Sequence, residues 1–255
     1  MVTPYDDYVG TATLHSLQHP LTDAPEEPAF LVTTQVMELY FGLLRTEWRL
    51  AQRQLDADDA EAATLSLRRS VRHFEALNAT WASLSWLTPD QFNRFRPALG
   101  EASGFQSAMY RHVEFLLGNK SSALLRPYKR VPEVYGELHA AMQAPSLYDS
   151  VLALLARRGF DVPAEIRAED AEPDPRVEAA WLAIYRGTAT DLRELAETLV
   201  ELAVQFSDWR YRHVLAVRRS MGGKPGTGGS NGVRFLEQSA RRDVFPELWS
   251  ARTHL

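Results

Sequence analysis

Cysteine is absent from all 255 residues. That absence removes disulfides, iron–sulfur clusters, cysteine-bound zinc and thiolate-ligated metal centres together. No apolar run reaches the ~20 residues that span a bilayer, and the first ten residues, MVTPYDDYVG, are acidic with no apolar signal core. No membrane contact and a cytoplasmic location are therefore expected. A basic excess is missing too: 28 Lys and Arg stand against 33 Asp and Glu, giving a net charge of −5 and a pI near 5.8. Phosphate backbones are bound by basic faces, so no nucleic-acid partner is expected. Strand-like alternation, internal repeats and low-complexity tracts are also lacking. What is present is a 45% hydrophobic content, enough for one real core, in helical periodicities that predict an all-α protein.

Residues 1–28 contain Pro4, Pro20, Pro25 and Pro28 and predict an extended arm with one short helix near 11–18. Residues 29–255 read as a single helical domain. Val36, Tyr40, Leu43, Leu44, Trp48, Ala51 and Leu55 mark a long amphipathic helix over 30–55, and Leu67, Val71, Phe74, Leu77, Trp81 and Leu84 mark a second. Thr88-Pro89-Asp90 restarts the chain with a capping threonine and a proline suited to the first turn. A third helix is expected over 103–117, closing at Gly118-Asn119. Shorter helices follow near 132–142, 146–157 and 176–186, interrupted by DVPAEIRAEDAEPDP, which reads as a solvated loop. A short helix near 233–240 and a turn led by Pro246 finish the chain. The long helices suffice for a bundle with room for a planar cofactor.

The most informative stretch is 208–232. Leu192, Leu195, Leu199, Leu202, Phe206 and Trp209 recur at three-and-four spacing, and His213 is next in that series, so its imidazole is expected to face inward. Arg210, Arg212, Arg218 and Arg219 are expected around it. Gly222-Gly223 should end the helix, and Gly226-Thr227-Gly228-Gly229-Ser230 follow. Two readings of His213 stay open on spacing alone: a hydrogen-bonded core histidine, or a metal or haem ligand. The loop is no Walker loop, because Lys224 precedes the glycines and a helix leads into them. The other histidines, His15, His19, His73, His112, His139 and His254, show no zinc spacing and read as surface or capping residues.

WRYRH at 209–213, with GTGGS beginning thirteen residues after the histidine, resembles the haem-binding segment of the tryptophan 2,3-dioxygenase family. FRPALGEASGFQS at 95–107, YRHVEFLLGNK at 110–120 and FPELWSART at 245–253 extend the resemblance over most of the chain. It implies a helical bundle around haem b, with His213 as axial iron ligand, Trp81 near the haem, and one face of the iron open to O2. It further implies that Arg96 binds a substrate carboxylate, as a planar guanidinium fork can; a surface ion pair is the plainer alternative. Pro97 is expected to hold Arg96 out of helical geometry. Phe92 and Ser103 fall in the segment resembling the family's substrate site. Thr227, beside Gly226, would meet the substrate ammonium and carboxylate. Phe30 and Phe92 would line an indole pocket, or serve as core, or both. Tyr5 and Tyr8 would cross to a neighbouring subunit of a homotetramer and help close its site; otherwise they are solvent-exposed tyrosines.

Thr34 departs from the resemblance. Most of the family carries histidine at this point of the FLVTTQ segment, and an acidic HDE stretch where this chain reads PEEP. A threonine hydroxyl is no base near neutral pH, though it accepts or relays one hydrogen bond. Its smaller side chain leaves room for a water or a methyl group. The expected function is haem-dependent oxygenation of L-tryptophan, or a methyl-substituted tryptophan, at indole C2/C3, with 2,3-dioxygenation to an N-formylkynurenine favoured. The alternatives are monooxygenation to a 2-oxindole in secondary metabolism, which needs a reductant or peroxide, a non-catalytic haem or indole sensor, and a helical interaction protein.

Overall fold

The computed structural model describes residues 2–163, 165, 172–227 and 231–255. Residues 164 and 166–171 of the linker at 161–175, and Gly228, Gly229 and Ser230 of the glycine loop, lie outside the described residues. The architecture is all-α, with no strand among the described residues.

The arm is more helical than expected. The Thr3 hydroxyl accepts from the Asp6 amide at 3.1 Å and Pro4 opens α1 (Pro4–Val9), with α2 (Thr11–His15) directly after Gly10. Proline here starts a helix instead of preventing one, since the first turn has no use for its missing N–H. The arm then rejoins the body: Gln18 and Leu17 bond Gln35, and the Glu27 carboxylate accepts from the amides of Leu21 at 2.6 Å and Thr22 at 2.9 Å.

Two long helices, α3 (Glu27–Asp56) and α4 (Ala60–Ala79), form an antiparallel hairpin. Asp58 makes its turn at φ 62°, and Asp59 caps α4 through the Ala62 amide. The second helix predicted from periodicity ends earlier as an α-helix, and a 3₁₀ turn, Thr80–Leu84, carries Trp81. Thr88 and Gln91 build the expected capping box on α5 (Pro89–Phe95). The third predicted helix is shorter than the pattern suggested. Ser103 caps a 3₁₀ turn, and Ser107 caps α6 (Ala108–Leu116) through the Tyr110 amide. Beyond it come α7 (Pro132–Gln143), α8 (Leu147–Arg157), α9 (Pro175–Arg186) and α10 (Thr190–Met221). The last two are α11 (Val233–Ala240), the short helix expected there, and α12 (Pro246–Thr253), a helix where only a turn led by Pro246 was expected.

One core joins these elements. Leu44, Trp48, Leu55, Leu67, Phe74 and Leu77 close the α3–α4 seam, and Leu192, Leu195, Leu199, Leu202 and Phe206 bring α10 against it, all at most 1% exposed. The Trp48 Nε1–H donates to Ser70 Oγ at 2.9 Å across the seam, so this large buried ring leaves no orphaned donor. With α6 against α3, the bundle frames an opening toward the C-terminal half of α10.

Candidate active site

A cavity of about 670 Å³ lies between the start of α3 and the end of α10. Phe30, Thr34, Met37 and Phe41 face it from α3 at helical spacing. Across from them stand Trp209, His213, Ala216, Val217 and Ser220 of α10. Tyr110, Arg111 and Glu114 of α6 form one side wall, Trp81 another, and Phe235 and Leu236 of α11 cover it.

The inward direction of His213 is as the periodicity implied. Its ring stacks on Trp81, with centroids 5.1 Å apart and planes 20° apart, and tilts against Trp209 at 5.3 Å. Burial, aided by the Arg111 charge, pushes its pKa down to about 4. The imidazole is therefore neutral at pH 7 and keeps a lone pair for a metal. The haem b implied by resemblance fits these residues. A neutral histidine edge, flat indole walls and an apolar enclosure suit an iron porphyrin, and no cluster of three or more His, Asp or Glu that could hold a bare metal ion occurs among the described residues.

The expected arginine ring around His213 is not formed. Arg212 and Arg219 lie on the outer face of α10, as does Arg218 near Glu237. Arg210 is buried, but its guanidinium donates to the carbonyls of Ser239 at 2.7 Å and Arg242 at 2.5 Å, fastening α10 to the end of α11. The buried cation that acts on His213 is Arg111, paired with Glu114 one turn along α6. Its guanidinium sits over the rings of Phe105 and Tyr110 at 5.1 and 5.0 Å. Desolvation raises the Glu114 pKa, with Arg111 opposing it, and burial beside Glu114 raises that of Tyr110. His112 also departs from expectation: it is buried, with Nε2 3.0 Å from Glu137 Oε1, and burial lowers its pKa.

Arg96 takes helical angles, φ −48° and ψ −42°, although Pro97 follows. The two begin a 3₁₀ turn, Arg96–Leu99, in which the missing proline N–H costs no bond. The Arg96 side chain reaches the glycine loop, donating from Nη2 to Pro225 O at 2.9 Å, and it is not itself on the cavity wall. Its Nε is buried without a partner. Thr227 does line the cavity, and its hydroxyl donates to Ala102 O at 2.5 Å. Gly226 and Ser103 line it as well. Behind them Gly222 ends α10 at φ 60°, and Gly232 passes so near Lys224 that a Cβ would fall 2.5 Å from its carbonyl oxygen.

Phe30 and Phe92 are both wall and core: their centroids lie 5.8 Å apart and each packs on Phe95. The Thr34 hydroxyl donates to Leu31 O at 2.8 Å, which leaves its oxygen to accept from the cavity side. Tyr5 and Tyr8 stand apart from the cavity, 68% and 92% exposed. Sequence reasoning missed Arg111, Glu114, Tyr110 and Trp209 as wall residues. The available signal was a charged pair at i, i+3 set among Val113, Phe115, Leu116 and Leu117.

Comparison with known proteins identifies the family. The sequence profile of the tryptophan 2,3-dioxygenase family matches residues 1–158 and 176–255. Tryptophan 2,3-dioxygenase of a Bradyrhizobium species is 43% identical over 257 aligned residues, covering 98% of this chain and 92% of the relative. The enzymes of that name from Pseudomonas fluorescens and Burkholderia pseudomallei are 40% and 42% identical over 98% of this chain, and over 91% and 84% of their own lengths. With that extent of matching around a cavity walled by His213, Trp81 and Thr227, the chain belongs to the tryptophan 2,3-dioxygenase family.

Proposed function

We propose that this protein is a haem-dependent oxygenase that inserts oxygen from O2 at indole C2/C3 of L-tryptophan or a methyl-substituted tryptophan, giving an N-formylkynurenine. The observation that carries this reading is the neutral His213 imidazole stacked on Trp81 at the wall of an apolar cavity. The names of the relatives support it. When bound, haem supplies the iron at which O2 is activated; the chain supplies position. His213 is the residue to hold the iron, and Phe30 and Phe92 offer aromatic faces to an indole. Arg96 and Thr227 already donate to carbonyl oxygens at the cavity's edge. A substrate carboxylate exchanging for Pro225 O would take a charge-assisted bond from Arg96, with Thr227 beside it. Fixing the amino-acid end aims the indole, which is catalysis by orientation.

The exposed Tyr5 and Tyr8 support an arm that crosses to a neighbouring copy in a homotetramer and covers its cavity. A second reading, monooxygenation to a 2-oxindole, is favoured by one observation. Thr34, in place of a histidine, gives the indole N–H only a hydroxyl oxygen as acceptor. That outcome leaves one oxygen atom to be reduced to water and so needs a reductant.

The test is product mass after aerobic incubation with tryptophan and its methylated analogues. A gain of two oxygens supports dioxygenation, a gain of one the 2-oxindole, and no gain overturns the oxygenase reading. Arg96→Ala is expected to keep the haem spectrum yet weaken tryptophan binding by about 1.5–3 kcal/mol. Unchanged affinity would remove Arg96 from the site.

A further inference from the structure

Two carboxylates line the cavity, and they differ in what they are free to do. Glu114 is enclosed and committed, paired with Arg111 and accepting from the Asn119 side-chain amide at 3.1 Å. Glu38 is exposed, and among the described residues its side chain has no hydrogen bond or ion pair. Other polar groups of the wall are occupied locally. Ser103 and Ser107 accept from the amides of Phe105 and Tyr110, and the Ser220 hydroxyl donates to Ala216 O. Glu38 and Thr34 stand four residues apart on α3, which puts them on one face with Cβ atoms about 5–6 Å apart. Both face the cavity. The Thr34 hydroxyl spends its hydrogen on Leu31 O, so toward the cavity it can only accept, and a carboxylate also only accepts. Two neighbouring acceptors cannot bond each other. A molecule with two hydrogens to give satisfies both, and a water that does so keeps a lone pair for a third partner.

We propose that Thr34 and Glu38 together hold a water that accepts the indole N–H of the substrate, which makes Glu38 a positioning residue for the ring. This rests on the tryptophan reading above. The water gives one hydrogen to Thr34 Oγ1 and the other to the Glu38 carboxylate, and its lone pair faces the indole nitrogen. Every polar group in the set is then paired. A charged acceptor on its far side polarises the water and makes it a better acceptor than the threonine hydroxyl alone. The pair thus selects a ring that carries N–H over one of the same shape that does not, since the latter leaves the water a bond short.

The experiment is a titration of the haem-loaded protein, followed by the Soret shift, with tryptophan and with its benzothiophene analogue, in which sulfur replaces the N–H and no bulk is added beside it. Wild type is expected to prefer tryptophan by about tenfold in Kd, as for one hydrogen bond drawn by a charged group. Glu38→Gln keeps an acceptor oxygen and should keep part of that preference, whereas Glu38→Ala should reduce it to about twofold. Thr34→Val should do the same. The double variant, Thr34→Val with Glu38→Ala, should lose no more than either single one, because each removes the same water. A wild-type preference in Glu38→Ala would overturn the role of Glu38, and additive losses in the double variant would overturn the shared water. Equal affinity of wild type for the two ligands would overturn the proposal and leave the oxygenase reading standing. A Soret band that tryptophan does not shift would overturn both.

Discussion

At Thr34 the difference between a hydroxyl and an imidazole decides what the cavity can accept. Its donor is spent on Leu31 O, so only the oxygen lone pairs remain for an indole N–H. Thr34→Val is expected to cost tryptophan affinity ~0.5–1.5 kcal/mol, the net worth of one neutral hydrogen bond, with haem content, read from the Soret band, unchanged. Thr34→His fills space beside Phe30. It is expected to shift the preference between tryptophan and a methylated tryptophan toward the smaller substrate by about tenfold in kcat/KM, the scale set by one methyl group in a pocket. The sequence already showed His213, because its place in the α10 stripe is a local property that helix geometry fixes. Arg111 and Glu114 were hidden. On a helix, opposite charges at i, i+3 look the same whether solvated or enclosed, and only what packs around them from elsewhere in the chain, such as the Phe105 ring against Arg111, decides. The direction of Arg96 was hidden for a related reason: its acceptor, Pro225, is 129 residues away.

Among the elements, the joint between the arm and α3 is the one most exposed to titration. Burial acts to raise the Glu27 pKa, but hydrogen bonds from the Leu21 amide and from the hydroxyl and amide of Thr22 outweigh it and hold the carboxyl below its ordinary 4.5. A depressed carboxyl pKa stabilises the fold above the unfolded value and loses that contribution as pH falls through the folded one. Protection of the Leu21 and Thr22 amides in hydrogen exchange should therefore be level above about pH 5 and decline below it. In Glu27→Gln it should be weaker by about 1.5 kcal/mol at neutral pH and lack that acid decline. Long elements were legible in the sequence, since α3, α4 and α10 each repeat an apolar stripe over many turns. Short ones were not. α1 depends on Thr3 capping a proline-led turn, and the α3–α4 hairpin on Asp58 adopting a positive φ, neither of which leaves a periodic trace.

Over the whole molecule, the C-terminal segment closes the bundle against α9 and α10 without lining the cavity. Glu247 is fully buried, accepting from the Tyr148 hydroxyl at 2.8 Å and the Asp174 amide at 3.0 Å, while Trp181 donates to Tyr148 at 3.2 Å. Glu247→Leu strands those donors and is expected to lower stability by ~1–3 kcal/mol, a Tm drop of roughly 3–10 °C for a chain this size. Thermal melting of the apoprotein checks it. All-α class and a single large core followed from composition and periodicity, but the cavity did not, because it is the space left where α3, α6, α10, α11 and residues 226–227 fail to meet. The central claim is that this space holds haem through His213, and the measurement that bears on it most directly is the visible absorbance of haem-supplemented protein with and without that imidazole. The account predicts a strong Soret band in wild type that shifts on adding tryptophan and is lost in His213→Ala. A folded His213→Ala protein with the wild-type spectrum would contradict it.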